Sequence, residues 1–195
     1  MIFTFDLYGT LVDWNYSISN FLRMFSIAPE EFFKLEYEQI RSYKPYSEIL
    51  KLCLKNLMKD YDEEIGNSFV LCFAKSPPFP DTVVALKKLK LKGYKLGIIS
   101  NTERRLIKIT HSGIEDLFDW VITAEDTGYY KPNIKAFEEA YKLMKVDLRN
   151  VVHVSAYPQY DLVSAKNLVK TILVDRYNYE WETKVKNLLD LLNFC

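Results

Sequence analysis

At 195 residues the chain has the length of one ordinary domain, or of a domain carrying a smaller inserted one, and it can bury a proper core. Lys plus Arg is 26 and Asp plus Glu is 26, so the formal net charge is zero. No basic surplus directs the chain to nucleic acid, and an anionic small molecule has to be met by local charge. Cys53, Cys72 and Cys195 are odd in number, widely spaced and outside any CxxC or Cys/His cluster. That argues against a disulfide framework or structural zinc, and for a reducing cytoplasm. No basic region precedes an apolar segment at the N-terminus, and no stretch reaches about 18 apolar residues, so neither secretion nor a membrane span is expected. Glutamine occurs only at Gln39 and Gln159 beside abundant lysine, which points to a thermophilic source.

In chain order, the first apolar run, Ile2 to Phe5, stops at Asp6 and is followed by the turn residues Gly9 and Thr10. More than 80 residues then separate it from the second run, Tyr94 to Ile99, and most of them read as helix. Pro29-Glu30-Glu31 opens one helix with acids in its first turn. Ser47 is placed to cap the next, which carries Ile49, Leu50, Leu52, Cys53, Leu54, Leu57 and Met58. The segment from Lys75 to Asp81 puts three prolines in four residues, a stiff return connection. Beyond it, a helix over Asp81 to Lys92 leads to the Tyr94 to Ile99 strand. Strands then follow at Trp120 to Ile122, Val151 to Val154 and Thr171 to Val174, with helices at Asn133 to Met144 and Tyr160 to Leu168 between the later ones. This alternation is the βαβ signature of a parallel sheet. The expected architecture is α/β: a Rossmann-like parallel sheet flanked by helices, formed by residues 1–14 and 77–195, with a small helical cap domain inserted at 15–76. There is no internal repeat and no low-complexity tract.

In open α/β sheets the site lies outside the carboxyl ends of the strands, so the residues that end each apolar run are the informative ones. Four ends carry chemistry: Asp6 with Gly9 and Thr10, Ser100 with Asn101, Lys131 before Pro132, and Ser155 with Asp161. FDLYGTLVD resembles motif I of the haloacid dehalogenase (HAD) superfamily, an aspartate followed by x-x-Gly-Thr after a strand. GIISNT resembles its second motif, YYKP its third and VVHVSAYPQYD its fourth. All stand in the family's order and cover the chain from residue 1 to about 176.

The resemblance implies a hydrolase that uses Asp6 as nucleophile and forms a covalent aspartyl intermediate, with Lys131 and Asp161 as its catalytic partners. Tyr8, Thr10, Ser100, Asn101 and Ser155 would bind the substrate. The chemistry of the residues agrees. A carboxylate is a poor nucleophile in water, but beside an ammonium group and partly stripped of water it attacks an electrophile to form an ester. Lys131 would keep Asp6 ionised and balance substrate charge. Ser100 and Asn101 would donate hydrogen bonds to a carboxylate or phosphate oxygen, while Gly9 lets backbone amides approach. The plainer alternative for Thr10 and Ser100 is turn and cap duty, and for Asp161 a helix-start acid.

Members of the family that hydrolyse phosphate esters usually carry a second aspartate two residues after the nucleophile, which protonates the departing alkoxide. Here that residue is Tyr8, and a phenol with a pKa near 10 is a poor acid at neutral pH. Those enzymes also bind magnesium through acids of motif IV, whose first acid is replaced here by Ala156. Halide leaves as a stable anion and needs neither proton nor metal. The L-2-haloacid dehalogenases of the superfamily resemble this chain in having Asp-x-Tyr-Gly-Thr and a serine opening motif IV. The expected reaction is therefore hydrolytic cleavage of a carbon–halogen bond in a small anionic 2-haloacid, without cofactor.

Two features depart from that pattern. Those dehalogenases place a cap arginine at the halide, where this chain has Glu31, leaving Arg23 or Arg41 as substitutes. Their motif IV also has an asparagine after the serine, where this chain has Ala156, Tyr157 and Pro158. The alternative is a magnesium-dependent phosphatase of a small phosphorylated metabolite, with Mg2+ on Asp6 and Asp161 and Asp126 or Glu125 assisting. A third reading is a catalytically silent binding protein of the same fold. Trp14, with Tyr8 and Tyr157, either walls an apolar pocket or packs in the core. His111 and His153 lack metal-ligand spacing and read as structural, and Asp13 either orients the loop entering the cap or is solvated. No feature sets an oligomeric state.

Overall fold

The computed structural model describes residues 1–194, so Cys195 lies outside it. Among the described residues six strands form one parallel sheet: β1 (Ile2–Phe5), β2 (Lys95–Ser100), β3 (Trp120–Thr123), β4 (Val151–Ser155), β5 (Lys170–Val174) and β6 (Lys184–Val185), in the order β3-β2-β1-β4-β5-β6. β1 is central. Phe5 pairs with Ile98 of β2 and Val154 of β4, so Asp6, Ser100 and Ser155 leave the sheet on the same edge. The two-residue β6 is too short for its pattern to be read from sequence.

Alternation along β1 divides the core. Phe3 and Phe5 join Leu96, Ile98, Val152 and Val154 beneath Ala85, Leu86 and Leu89 of α5 (Thr82–Leu91). The opposite face packs Ile99 and Val151 against Phe137, Ala140, Tyr141 and Met144 of α8 (Ile134–Met144), whose N-cap Asn133 accepts from the Lys135 amide. Thr4 and His153 lie on that second face as register partners, and the Thr4 hydroxyl lies 3.0 Å from His153 Nδ1 and 3.3 Å from the Tyr141 hydroxyl.

Ahead of α5, four helices fill the first part of the long crossover from β1 to β2: α1 (Trp14–Met24), α2 (Pro29–Gln39), α3 (Tyr46–Leu57) and α4 (Glu63–Ala74). Asp13 is the N-cap of α1 and accepts from the Tyr16 amide, and Asp62 caps α4 in the same way. Pro29 at the start of α2 gives up no hydrogen bond, because its first-turn amides have no helical acceptor. The two connections to the sheet run side by side: the Asp13 amide donates to Pro77 O at 2.7 Å and the Phe79 amide to Leu11 O at 3.0 Å. The apolar cluster beneath α5 continues without a break into Phe32, Ile49, Phe69 and Phe73 of these helices.

Two local expectations change. Ser47 is not the cap of α3. The helix starts after Pro45, and both the Ser47 amide and hydroxyl donate to Glu103 Oε2 at 3.2 and 3.0 Å, so a carboxylate from beyond β2 does the capping. The helix expected over Tyr160 to Leu168 is shorter and irregular. A π-turn at Pro158–Leu162 precedes the brief α9 (Val163–Ala165), and the chain then turns into β5. Such wide turns recur where a side chain must be aimed at a site. No helix among the described residues is long and apolar enough to cross a membrane.

Candidate active site

Gly9 sits at φ +90, where an L side chain is strained, and a Cβ there would lie 2.3 Å from the Tyr157 ring. The turn it makes after β1 folds Thr10 back, so that the Thr10 hydroxyl donates to Asp6 Oδ2 at 2.7 Å while accepting the Ala156 amide at 3.0 Å. Thr10 thus performs turn duty and carboxylate orientation together. The other oxygen, Asp6 Oδ1, accepts from Lys131 Nζ at 2.9 Å.

Lys131 is only 1 % exposed. Its ammonium donates to Asp6, to Asp161 Oδ1 at 2.6 Å and to Ile99 O at 2.8 Å, so all three protons are used. Its main chain is held by Asn101: the Lys131 amide donates to Asn101 Oδ1 and Asn101 Nδ2 donates to Lys131 O, both at 2.8 Å. Asn101 therefore fixes the lysine as well as bordering the site.

Two carboxylates sharing one buried ammonium cannot be held equally. Burial works against the charge on Lys131, but the carboxylates of Asp161 and Asp6 outweigh it and hold the ammonium above its ordinary range. Burial likewise opposes ionisation of Asp161, and the nearby Lys131 and His153 outweigh it and keep that carboxyl low. Asp6 takes the remainder: burial lifts it above the ordinary range against the pull of Lys131.

A cavity of about 30 Å³ adjoins this group. Asp6, Asn101, Lys131 and Asp161 border it from the sheet side, Glu36 and Tyr46 from the helices, and Tyr8, Trp14, Tyr157 and Tyr160 complete the wall. Trp14 Nε1 donates to the Tyr157 hydroxyl at 3.0 Å, so these two are pocket wall and core at once. Tyr8 shows its ring to the cavity, stacked on Phe73, while its hydroxyl is turned to Thr110 at 2.6 Å and burial raises its pKa further.

Other expected residues fall elsewhere. Ser155 is buried and accepts the Tyr157 amide, which is turn duty. Ser100 is buried next to Ile99, and its hydroxyl has no partner among the described residues. Asp126 accepts from Thr123 in the cap of α7 (Ala124–Thr127) and pairs with Arg104, whose amide donates to Glu125. Neither acid borders the cavity. Glu31, Arg23 and Arg41 are exposed, so no arginine takes the expected place.

Two participants escaped the sequence reading. His153 Nε2 lies 2.9 Å from Asp161 Oδ1, so it braces the site. The usable signal was its position on β4, two residues from the strand end. Glu36 is 1 % exposed and accepts from the Tyr46 and Tyr160 hydroxyls at 2.9 Å each. It shares the buried face of α2 with Phe32, four residues away, and a carboxyl on an apolar stripe was the signal.

Just beyond the central strand of the parallel sheet, then, stands a buried aspartate paired with a buried lysine. The family model for haloacid dehalogenase-like hydrolases matches residues 1–168, and the chain belongs to that family. The (S)-2-haloacid dehalogenase of Pseudomonas fluorescens is 29% identical over 179 residues, covering 84% of this chain and 78% of that one. The glyceraldehyde 3-phosphate phosphatase of Methanothermobacter thermautotrophicus is 41% identical over 106 residues, 53% of this chain and 47% of that protein, so the match spans about half of its length. Among solved structures, the L-2-haloacid dehalogenase from Xanthobacter autotrophicus superposes with a TM-score of 0.86 at 20% identity, covering 100% of this chain and 98% of that one. That enzyme is also known with chloropropionic acid covalently bound.

Proposed function

We propose that the protein hydrolyses the carbon–halogen bond of a short 2-haloacid through a covalent aspartyl ester. The observation that carries this reading is Tyr8, whose hydroxyl is committed to Thr110 and cannot act as an acid toward a leaving group at the carboxylate of Asp6. The covalent complex of the Xanthobacter enzyme supports the same chemistry.

In the first step an Asp6 oxygen attacks C2 of the substrate, and the halide leaves with the electron pair of the broken bond. In the second, water attacks the carbonyl carbon of the aspartyl ester, releasing the 2-hydroxyacid, a proton and the Asp6 carboxylate. Lys131 keeps the nucleophile ionised and in place, and Asp161, oriented by Lys131 and His153, assists the water. Residues 15–76 act as a cap over the site. The donor set favours the metal-free reading. Both carboxylates that would bind a cation are already occupied by the Lys131 ammonium, and among the described residues no three potential ligands are placed so as to hold a metal ion together.

The Methanothermobacter relative favours a second reading, a phosphomonoesterase, in which magnesium would displace the Lys131 contacts. Halide and phosphate release measured on one preparation, with magnesium and with EDTA, separates the two. EDTA-insensitive halide release is the expected result. Magnesium-dependent phosphate release with no halide from any short 2-haloacid overturns the first reading.

A further inference from the structure

Among the described residues bordering the cavity, Glu36 is a carboxyl group that no lysine, arginine or histidine meets. The ammonium of Lys131 is consumed by Asp6, Asp161 and Ile99 O, and Glu31, Arg23 and Arg41 lie at the surface. An anion entering here faces two carboxylates matched by one cation, and then Glu36. Ionised, Glu36 would repel it across a small cavity set apart from bulk solvent, where Coulomb terms are larger than in open water.

The surroundings of Glu36 are neutral. Tyr46 and Cys53 of α3, Tyr160 of the π-turn and Tyr130 of the loop before Lys131 face it. Lys44 is nearby, but its ammonium donates to Gln39 at 3.1 Å. The charged groups across the cavity are Asp6, Asp161 and Lys131. Each Glu36 oxygen holds one tyrosine donor and keeps a second site free.

From this geometry we infer that Glu36 binds the substrate anion as a neutral carboxylic acid, taking one proton from solvent on binding and donating it in a hydrogen bond to the anion. The acid does at this cavity what a cation would otherwise do, and it makes anion affinity depend on pH. Burial, against the two tyrosine donors, lifts the Glu36 pKa to about 7, so the uptake falls in the neutral range. The inference rests on the proposed anionic substrate.

The test uses propionate and sulfate, which stay ionised from pH 6 to 9 and cannot be turned over. Calorimetric titration of the whole protein in buffers of different ionisation enthalpy reads protons taken up per anion bound. At pH 8 the expected value is close to one for the wild type and close to zero for Glu36→Gln. The wild-type Kd should rise about tenfold per pH unit above 7, while that of Glu36→Gln stays flat. Tyr160→Phe, which removes one donor to the carboxylate, should move the wild-type inflection to higher pH, and it serves if Glu36→Gln fails to fold. Binding without proton uptake, or uptake unchanged in Glu36→Gln, overturns the role of Glu36 and leaves the hydrolase reading standing. Sulfate binding with uptake, but no propionate binding, keeps Glu36 and turns the substrate toward phosphate esters. If neither anion binds, both conclusions fall.

Discussion

Asp6 and Glu36 each make a separate, measurable claim. Asp6→Asn nearly conserves shape but cannot form the ester, so halide release should vanish while the circular dichroism spectrum and melting temperature stay near wild type. Retention of more than a few per cent of the rate would take Asp6 out of the reaction. Because Asp6 is lifted above its ordinary range and must be ionised to attack, the acid limb of kcat/KM should lie above the usual carboxylate values. A profile flat down to ordinary aspartate pH would contradict that assignment. Glu36 has a consequence for stability as well. Its pKa rises from 4.5 to about 7 on folding, so the folded state holds the proton longer than the unfolded chain. Stability therefore falls as pH climbs through that window, and the loss is complete above pH 7. At about 1.4 kcal/mol per tenfold this is on the order of 3 kcal/mol. Glu36→Gln should melt higher than wild type at pH 8, with the difference shrinking toward pH 5.

Short elements set these residues in place, and the turn after β1 does most of it. Gly9 combines a positive φ with a ring in van der Waals contact, so Gly9→Ala meets both strain and a clash with Tyr157. The variant should lose at least tenfold in kcat/KM, because Thr10 and the Asp6 carboxylate move with the turn. The hydroxyl of Tyr8 serves α6 (Arg104–Thr110) through Thr110, and its ring serves Phe73 of α4. Tyr8→Phe should consequently leave halide release within a few-fold of wild type and lower stability by about 1 kcal/mol. A hundredfold loss of rate with unchanged stability would instead give the phenol a chemical role. The same economy holds at α3, where Glu103 is cap and tether together.

At the scale of the whole molecule, the cavity of about 30 Å³ has room for the centres of about two waters. The proposed haloacid and a hydrolytic water do not both fit, so we expect the helices over 15–76 to swing away during turnover. The paired connections at 11–13 and 77–79 are the natural pivot. Besides the shared apolar cluster, polar latches hold them: Ser47 to Glu103, the Tyr130 hydroxyl to Lys44 O at 2.6 Å, the Thr110 hydroxyl to Ala74 O at 2.8 Å, and Tyr160 to Glu36. Weakening one of them, as in Tyr130→Phe, should speed hydrogen exchange at α2 and α3 without changing exchange in β1 and β4. Equal exchange in wild type and variant, with crystals of free and bound protein showing one orientation, would mean that the substrate enters by another route.

Period and punctuation in the chain were enough for the α/β alternation, the helical insertion after β1, the strand-end positions of Asp6 and Asn101 and the placing of Lys131 and Asp161 in the connections after β3 and β4, because each depends on local pattern. Motif order was enough for the family. Tertiary structure alone decided which polar groups meet. Ser47 reads as a cap until Glu103, 56 residues on, reaches its amide. Asp126 reads as a candidate ligand until Thr123 and Arg104 claim it. His153 becomes part of the site only because β4 lies beside β1 and the π-turn swings Asp161 against it. The raised pKa of Glu36 comes from its burial without a cation beside it, and a one-dimensional pattern records neighbours along the chain rather than the solvent removed by packing across it.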